Sequence, residues 1–267
     1  LSKSNEALRK SLGRLSSGKR ITSPADDAGG LAVALKLASK TNRTSAVLQN
    51  VQNALSYAQV QDSSLQTVGK ILDRMAELRT MAQDVTKNTG DIENYSKEFV
   101  ELQSQLQQIK NETFNGISLF ASGNYLASAD PTMNRADNAL SIASTTGGAS
   151  TQFHRYGRTL YTHPGGQTND GSVSLNVTNL EYVLDVGALD SRYASTWGGG
   201  TNASGLDLGN VNSDNSTTAS DGMTSGGFIS SILAVSVGQF TAAIERLADV
   251  RAENGAEQNR MMQVSDM

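Results

Sequence analysis

Apolar residues recur at three- and four-residue intervals along the first hundred positions, with polar residues between them. Leu8, Leu12 and Leu15 fall on one face of a first helical piece. From about residue 31 the pattern continues for roughly fifty residues without a break. Leu48, Val51, Leu55, Ala58, Leu65, Val68, Leu72 and Met75 form its stripe, with Asp62 interrupting. At 1.5 Å per residue such a helix is about 80 Å long, and a helix of that length needs partners along its course. Residues 87–91 break the pattern. A second helix is predicted over residues 92–111, with Phe99, Leu102, Leu106 and Ile109 as its stripe. Asn115-Gly116 then marks a turn between Phe114 and Phe120.

The patterning changes near residue 121, where Gly, Ser, Thr and Asn take over until about residue 227. A helical start over 130–142 and two strands, over 173–177 and 180–186, are the elements predicted there. Gly198-Gly199-Gly200 reads as a loop. Helix returns at about residue 228. Ile229, Leu233, Phe240, Ile244, Leu247 and Val250 are its stripe, and residues 254–262 continue it with weaker spacing. The predicted fold class is mostly α: a long-helix bundle, antiparallel and coiled-coil-like, with an inserted β-rich (α+β) middle domain. The predicted division is residues 1–120 with 228–267 for the bundle, and 121–227 for a variable surface domain.

Composition narrows the chemistry. The 267 residues include no Cys, which removes disulfides and thiolate metal sites. A net charge of −4 gives no electrostatic case for nucleic acid. No apolar run reaches the length of a membrane span, and no signal-type segment opens the sequence. Aromatics make up only 5% of residues, which suits helix seams built from aliphatic side chains. His154 and His163 lack partners at metal-ligand spacing, and no phosphate loop or nucleophile elbow is present, so neither a cofactor nor an enzymatic activity is expected.

Residues 15–33, LSSGKRITSPADDAGGLAV, read physically as a helix entry. Gly18 closes the preceding helix, Ser23 is the predicted N-cap, Pro24 suits the first turn, and Asp26 and Asp27 lie at the positive end of the helix dipole. The same stretch resembles the N-terminal signature of bacterial flagellins, with Arg20, Asp26, Asp27 and Gly29 in order. Residues 240–260 are similar to the C-terminal flagellin helix and end in Gln258-Asn259-Arg260, and Asn115-Gly116 falls in the same resemblance. It implies a structural subunit of the flagellar filament. Such a subunit assembles with copies of itself for motility, is secreted to the cell surface, and has an export chaperone as a partner of the full-length chain. It further implies that family members carry terminal helices beyond this sequence, so a chain trimmed at both ends is expected. The hook–filament junction protein is the related alternative. Residues 72–79 are similar to the region that innate immune receptors read in many flagellins, with Arg74, Glu77 and Leu78 matching.

The segment 153–163 is where aromatics and cations interleave. Arg155 and Arg158 supply charge and Tyr156 and Tyr161 stacking surface, so an acidic polysaccharide is a candidate partner, making a surface-binding protein the second alternative. Alternation along a strand would split these four residues between two faces, so a shared site requires a loop or bulge at Gly157. Arg20, Asp26 and Asp27 are expected to serve capping, a local ion pair or an intersubunit contact.

Overall fold

The computed structural model describes residues 2–121, 134–135, 140–142, 151–153, 155–167, 169, 171–186, 207–211, 217–219 and 228–266. Helix α1 spans Ser2–Ser17, α2 Ala28–Met81 and α3 Thr89–Lys110. Residues 87–91, which the patterning marks as a break, contain a helix start. Asn88 accepts from the Asp91 N–H at 2.9 Å and Asp91 returns the bond to the Asn88 N–H at 3.1 Å, a reciprocal cap. The last helix, α5, spans Val237–Ser265 and opens on the same device, with Ser236 and Gln239 as the pair. The segment before it is not helical as predicted. Residues 228–236 run extended apart from a single 3-10 turn at Ile232–Ala234. Phe228, Ile229, Ile232, Ala234 and Val235 are all buried, so the apolar content that mimics a helix stripe is that of a chain threaded through the core.

Both α3 and α5 run antiparallel to α2. Arg74 of α2 meets Glu98 of α3, while Arg79, Asp62 and Ala58 of α2 meet Val235, Arg251 and Gln258 in reverse order. Leu65, Val68, Leu72, Met75 and Leu78 enter one core with Phe99, Leu106, Phe240 and Leu247, and the Phe99 and Phe240 rings meet edge to face with centroids 6.4 Å apart. On α3 the inward face is Phe99, Val100, Gln103 and Leu106, and Leu102 is only half-buried at its border.

After α3 the chain forms a hairpin, β1 (Thr113–Phe114) and β2 (Ile117–Ser118), around Asn115-Gly116. Both turn residues have positive φ, 51° and 77°, which is the two-residue turn that Asn-Gly favours. Short strands follow: β3 (Phe120–Ala121), β4 (Asn134–Arg135), β5 (Leu140–Ile142), β6 (Thr151–Phe153), β7 (Tyr156–Tyr161) and β8 (Ser172–Asn179). The main sheet has the order β3-β8-β7-β4, with β3 parallel to β8 and the other pairs antiparallel; β5 and β6 form a separate pair. Where residues 130–142 are described they are strand, not the predicted helix. The predicted strand at 180–186 is instead a short helix, α4 (Leu180–Leu184), started by Asn179, whose side chain accepts from the Glu181 N–H at 3.1 Å. Gly198-Gly199-Gly200 and His154 lie outside the described residues. Leu180, Val183, Leu184, Val186 and Leu208 join the same core as the long helices.

Candidate assembly surface and its fastenings

The helical arm. No described residue of α1 is buried, and residues 32–46 of α2 are exposed on every face. Leu8, Leu12 and Leu15 do share a stripe, but they are 60%, 55% and 81% exposed. Val33, Leu35 and Leu37 stand out from α2 in the same way. A helical stripe of leucine left uncovered lacks the tertiary packing that normally stabilises an amphipathic helix.

The junction between α1 and α2 is built from the residues of the 15–33 stretch, in different roles from those predicted. Ser23 is not the N-cap. Residues 23–26 make a turn closed by the Asp26 N–H to the Ser23 carbonyl at 3.0 Å, and α2 starts four residues later than a Ser23 cap would place it. Asp27 is the cap, accepting from the Gly30 N–H at 2.8 Å. A Cβ on Gly30 would stand 2.9 Å from the Asp27 carboxyl carbon and 3.2 Å from Ile21, so Gly30 rather than Gly29 is the glycine this cap requires. Asp26 is an anchor. It pairs with Lys10, lies 3.9 Å from Arg14, and accepts from the Thr22 hydroxyl at 3.1 Å. The bond from Lys10 holds its carboxyl down at about 2, aided by those from Thr22. The cations on Asp26 thus come from α1, and Arg20 is not among them.

The α2–α5 seam carries a polar relay. Gln258 donates to the Ala58 carbonyl at 3.3 Å and to the Asn254 side-chain oxygen at 2.6 Å. Asn254 donates to Gln61 at 2.6 Å, and Gln61 donates to the Leu119 carbonyl at 2.7 Å. The Tyr57 hydroxyl donates to the Ser118 and Leu119 carbonyls at 3.0 and 3.2 Å. The relay joins α5, α2 and the strand that leaves the Asn115-Gly116 hairpin. Within the 258–260 motif, Gln258 points inward, whereas Asn259 and Arg260 are exposed; Arg260 reaches the Ser172 carbonyl at 3.5 Å. Asn254 was not singled out by sequence reasoning. Its signal, a polar residue on the inward face of the C-terminal stripe, was available. Asp62, which seemed to interrupt the α2 stripe, pairs with Arg251 at 2.9 Å.

Buried charges tie the middle of the chain to the helices. The Lys110 ammonium, at the end of α3, sits 2.8 Å from Glu181 and 2.7 Å from Asp207. Burial works against the charge on Lys110, but the two carboxylates outweigh it and raise its pKa; burial raises that of Asp207. Arg246 of α5 donates to the Val183 and Asp185 carbonyls at 3.1 and 2.5 Å, with its guanidinium 5.8 Å from the centre of the Tyr182 ring. Burial lowers its pKa.

Two groups of sequence candidates are placed differently from expectation. Leu78 is fully buried in the core and presents nothing at the surface, while Arg74 pairs with Glu98 at 2.6 Å and Glu77 at 3.1 Å on an exposed face. In the 153–163 segment β7 pairs with β8 one-to-one from Tyr156 to Tyr161, so the bulge that a shared glycan site requires is absent from this strand. Tyr156 is buried, and Arg155 donates to Glu253 of α5 at 2.8 Å. Arg158 reaches toward the Ser118 carbonyl at 3.4 Å, and Tyr161 is the exposed ring of the set. These four residues do not converge on one surface. Among the described residues no three His, Asp or Glu side chains gather as a metal site, and no helix is long and apolar enough to cross a membrane.

Comparison with known proteins bears on the N-terminal half. The family described as the bacterial flagellin N-terminal helical region matches residues 1–125. Phase 1 flagellin of Salmonella naestved and flagellin of Salmonella dublin are each 30% identical to this chain over 127 residues, which make up 47% of this chain and 25% of the relative. The match thus spans a quarter of those relatives' length. A crystal structure of Bacillus cereus flagellin aligns with 82% of this chain and 88% of its own, at 17% identity and a TM-score of 0.45.

Proposed function

We propose, from the match of residues 1–125 to the family described as the bacterial flagellin N-terminal helical region, that this chain is a structural subunit of the bacterial flagellar filament, working by packing against copies of itself. The observation that carries the proposal is the uncovered arm, α1 together with residues 32–46 of α2, whose leucines have no partner within the described chain. In this reading the arm is covered by neighbouring copies. Asp26, Asp27 and Gly30 set its angle to the body, and Arg20, exposed beside them, is free to meet a neighbour. The Asn115-Gly116 turn and Gln258 hold the body rigid behind it, while Asn259 and Arg260 face outward. Secretion, a place on the cell exterior, a chaperone that shields the arm before assembly, and a role in motility belong to the same reading. It assigns the chain no catalytic step.

The test is association of the full chain by sedimentation velocity and negative-stain electron microscopy, with Leu8→Glu/Leu12→Glu as the variant. Charge on the exposed stripe should abolish self-association and leave the helical circular dichroism intact. Undiminished association in the variant would refute the arm as the contact surface.

A further inference from the structure

Between Asp27 and Asp62 the sequence holds no acidic residue, yet it holds Lys36, Lys40 and Arg43. Spaced i, i+4 and i+7 on α2, the three share one face of the uncovered arm. All three are exposed, and none is ion-paired among the described residues; the Arg43 Nε donates to the Ser39 carbonyl at 3.4 Å. With α1 included, residues 1–46 carry nine Lys and Arg against three Asp and Glu. The remaining residues carry 13 against 23, so a basic arm stands on an acidic body.

The opposite charge stands on α5. Its inward side is Phe240, Ala243, Arg246, Leu247 and Val250, which leaves Glu245 and Asp249, four residues apart, exposed on the outward side. Neither is ion-paired among the described residues, and the adjoining cations are committed elsewhere, Arg246 to the Val183 and Asp185 carbonyls and Arg251 to Asp62. We propose that the ridge of Lys36, Lys40 and Arg43 in one copy docks on Glu245 and Asp249 of a second copy, arm against body. The inference rests on the self-packing reading above and names the surface that the arm meets. Geometry makes the contact intermolecular. Gly69 of α2 packs beside Leu247, midway between the two carboxylates, and about 44 Å of unbroken helix separates Gly69 from Lys40. No lysine side chain spans that distance, so an arm cannot reach the acidic pair of its own copy. The matched four-residue spacing lets Lys36 and Lys40 meet Glu245 and Asp249 together when the two helices lie side by side. Because the two patches differ, the contact is heterologous, and each copy keeps one patch open for the next.

The test is charge exchange in the full chain, followed by sedimentation velocity. Lys36→Glu/Lys40→Glu and Glu245→Lys/Asp249→Lys should each lower the apparent association constant about tenfold or more, because each sets like charges against one another. An equimolar mixture of the two should regain wild-type association, since every arm then meets a face of opposite sign. Wild-type association should also weaken as NaCl rises from ~0.05 to ~0.5 M, whereas contacts made by leucine alone would not. Far-UV circular dichroism matching the wild type would establish that the exchanged variants are folded, and the salt series needs no variant. Undiminished association in both exchanged variants, a mixture no better than its components, or association indifferent to salt would overturn this contact and leave the self-packing reading standing. A wild type that stays monomeric throughout would overturn both.

Discussion

Asn254 offers a quantitative test of the seam. Both it and Gln61 are buried, at 3% and 2% exposure, between α2 and α5. Asn254→Ala removes two bonds of 2.6 Å, one donated to Gln61 and one accepted from Gln258. Gln258 keeps the Ala58 carbonyl at 3.3 Å, so its loss is partial. The Gln61 side-chain oxygen is left in an apolar seam without its donor. An orphaned buried acceptor costs about 1–3 kcal/mol, so the substitution should destabilise by about 2–3 kcal/mol once the weakened Gln258 bond is included. Gln61→Ala strands the Asn254 amide instead, while the Leu119 carbonyl retains Tyr57 at 3.2 Å. Because the two variants break one shared bond, a double-mutant cycle should show coupling of about 1–2 kcal/mol rather than additivity. Asn259→Ala, next door but exposed, should change stability by less than about 0.5 kcal/mol. The measurement is urea unfolding followed by helical circular dichroism. Additive single effects, or a loss under ~0.5 kcal/mol for Asn254→Ala, would refute the relay as a stabilising network.

Two further outcomes are expected. Leu72→Ala should cost about 2–5 kcal/mol in denaturant unfolding because Leu72 is fully buried, whereas Leu102→Ala, at the border of the core, should cost clearly less, and equal losses would show that α3 is rotated from the orientation described. At the arm, the Asp26 carboxyl is depressed in the folded state, so its stabilising effect is complete above its ordinary value of 3.8 and is lost as pH falls toward about 2; NMR titration of Asp26 should give a low midpoint that rises with salt, and a midpoint near 3.8 at low salt would remove the Lys10 anchor.

The long helices were legible because their stripes are long and their inward positions are aliphatic. Leu65, Val68, Leu72 and Met75 needed only a period, and Asn115-Gly116 only the rule that both turn residues take positive φ. What misled was chemistry that depends on a distant partner. Ser23 is as good a cap by type as Asp27; the difference is that Asp26 is held by Lys10 and Thr22 in a turn, which delays the helix. The extended stretch 228–236 has helix-like apolar spacing because every apolar side chain in it has a core to enter, whatever the backbone does. Leu180–Leu184 is rich enough in apolar residues for a strand, yet Asn179 caps it as a helix. That Asn254 is polar on the inward face of α5 was readable; that it meets Gln61, and that Glu253 meets Arg155, was not, since those partners lie tens to hundreds of residues away.

That separation has a kinetic side. Gln61 meets Asn254 across 193 residues, and Ala58 meets Gln258 across 200, whereas Arg74 meets Glu98 across only 24. Closing the α2–α3 hairpin is a local event; docking α5 is among the most remote contacts the chain makes, and remote contacts form slowly. Whenever the chain is delivered from its N-terminal end onward, α2 and α3 can pair early. The other side of α2 stays open until α5 arrives, long after α3. A chain paused between α3 and α5 therefore retains an unfilled hydrophobic cleft along α2, open to whatever binds it first.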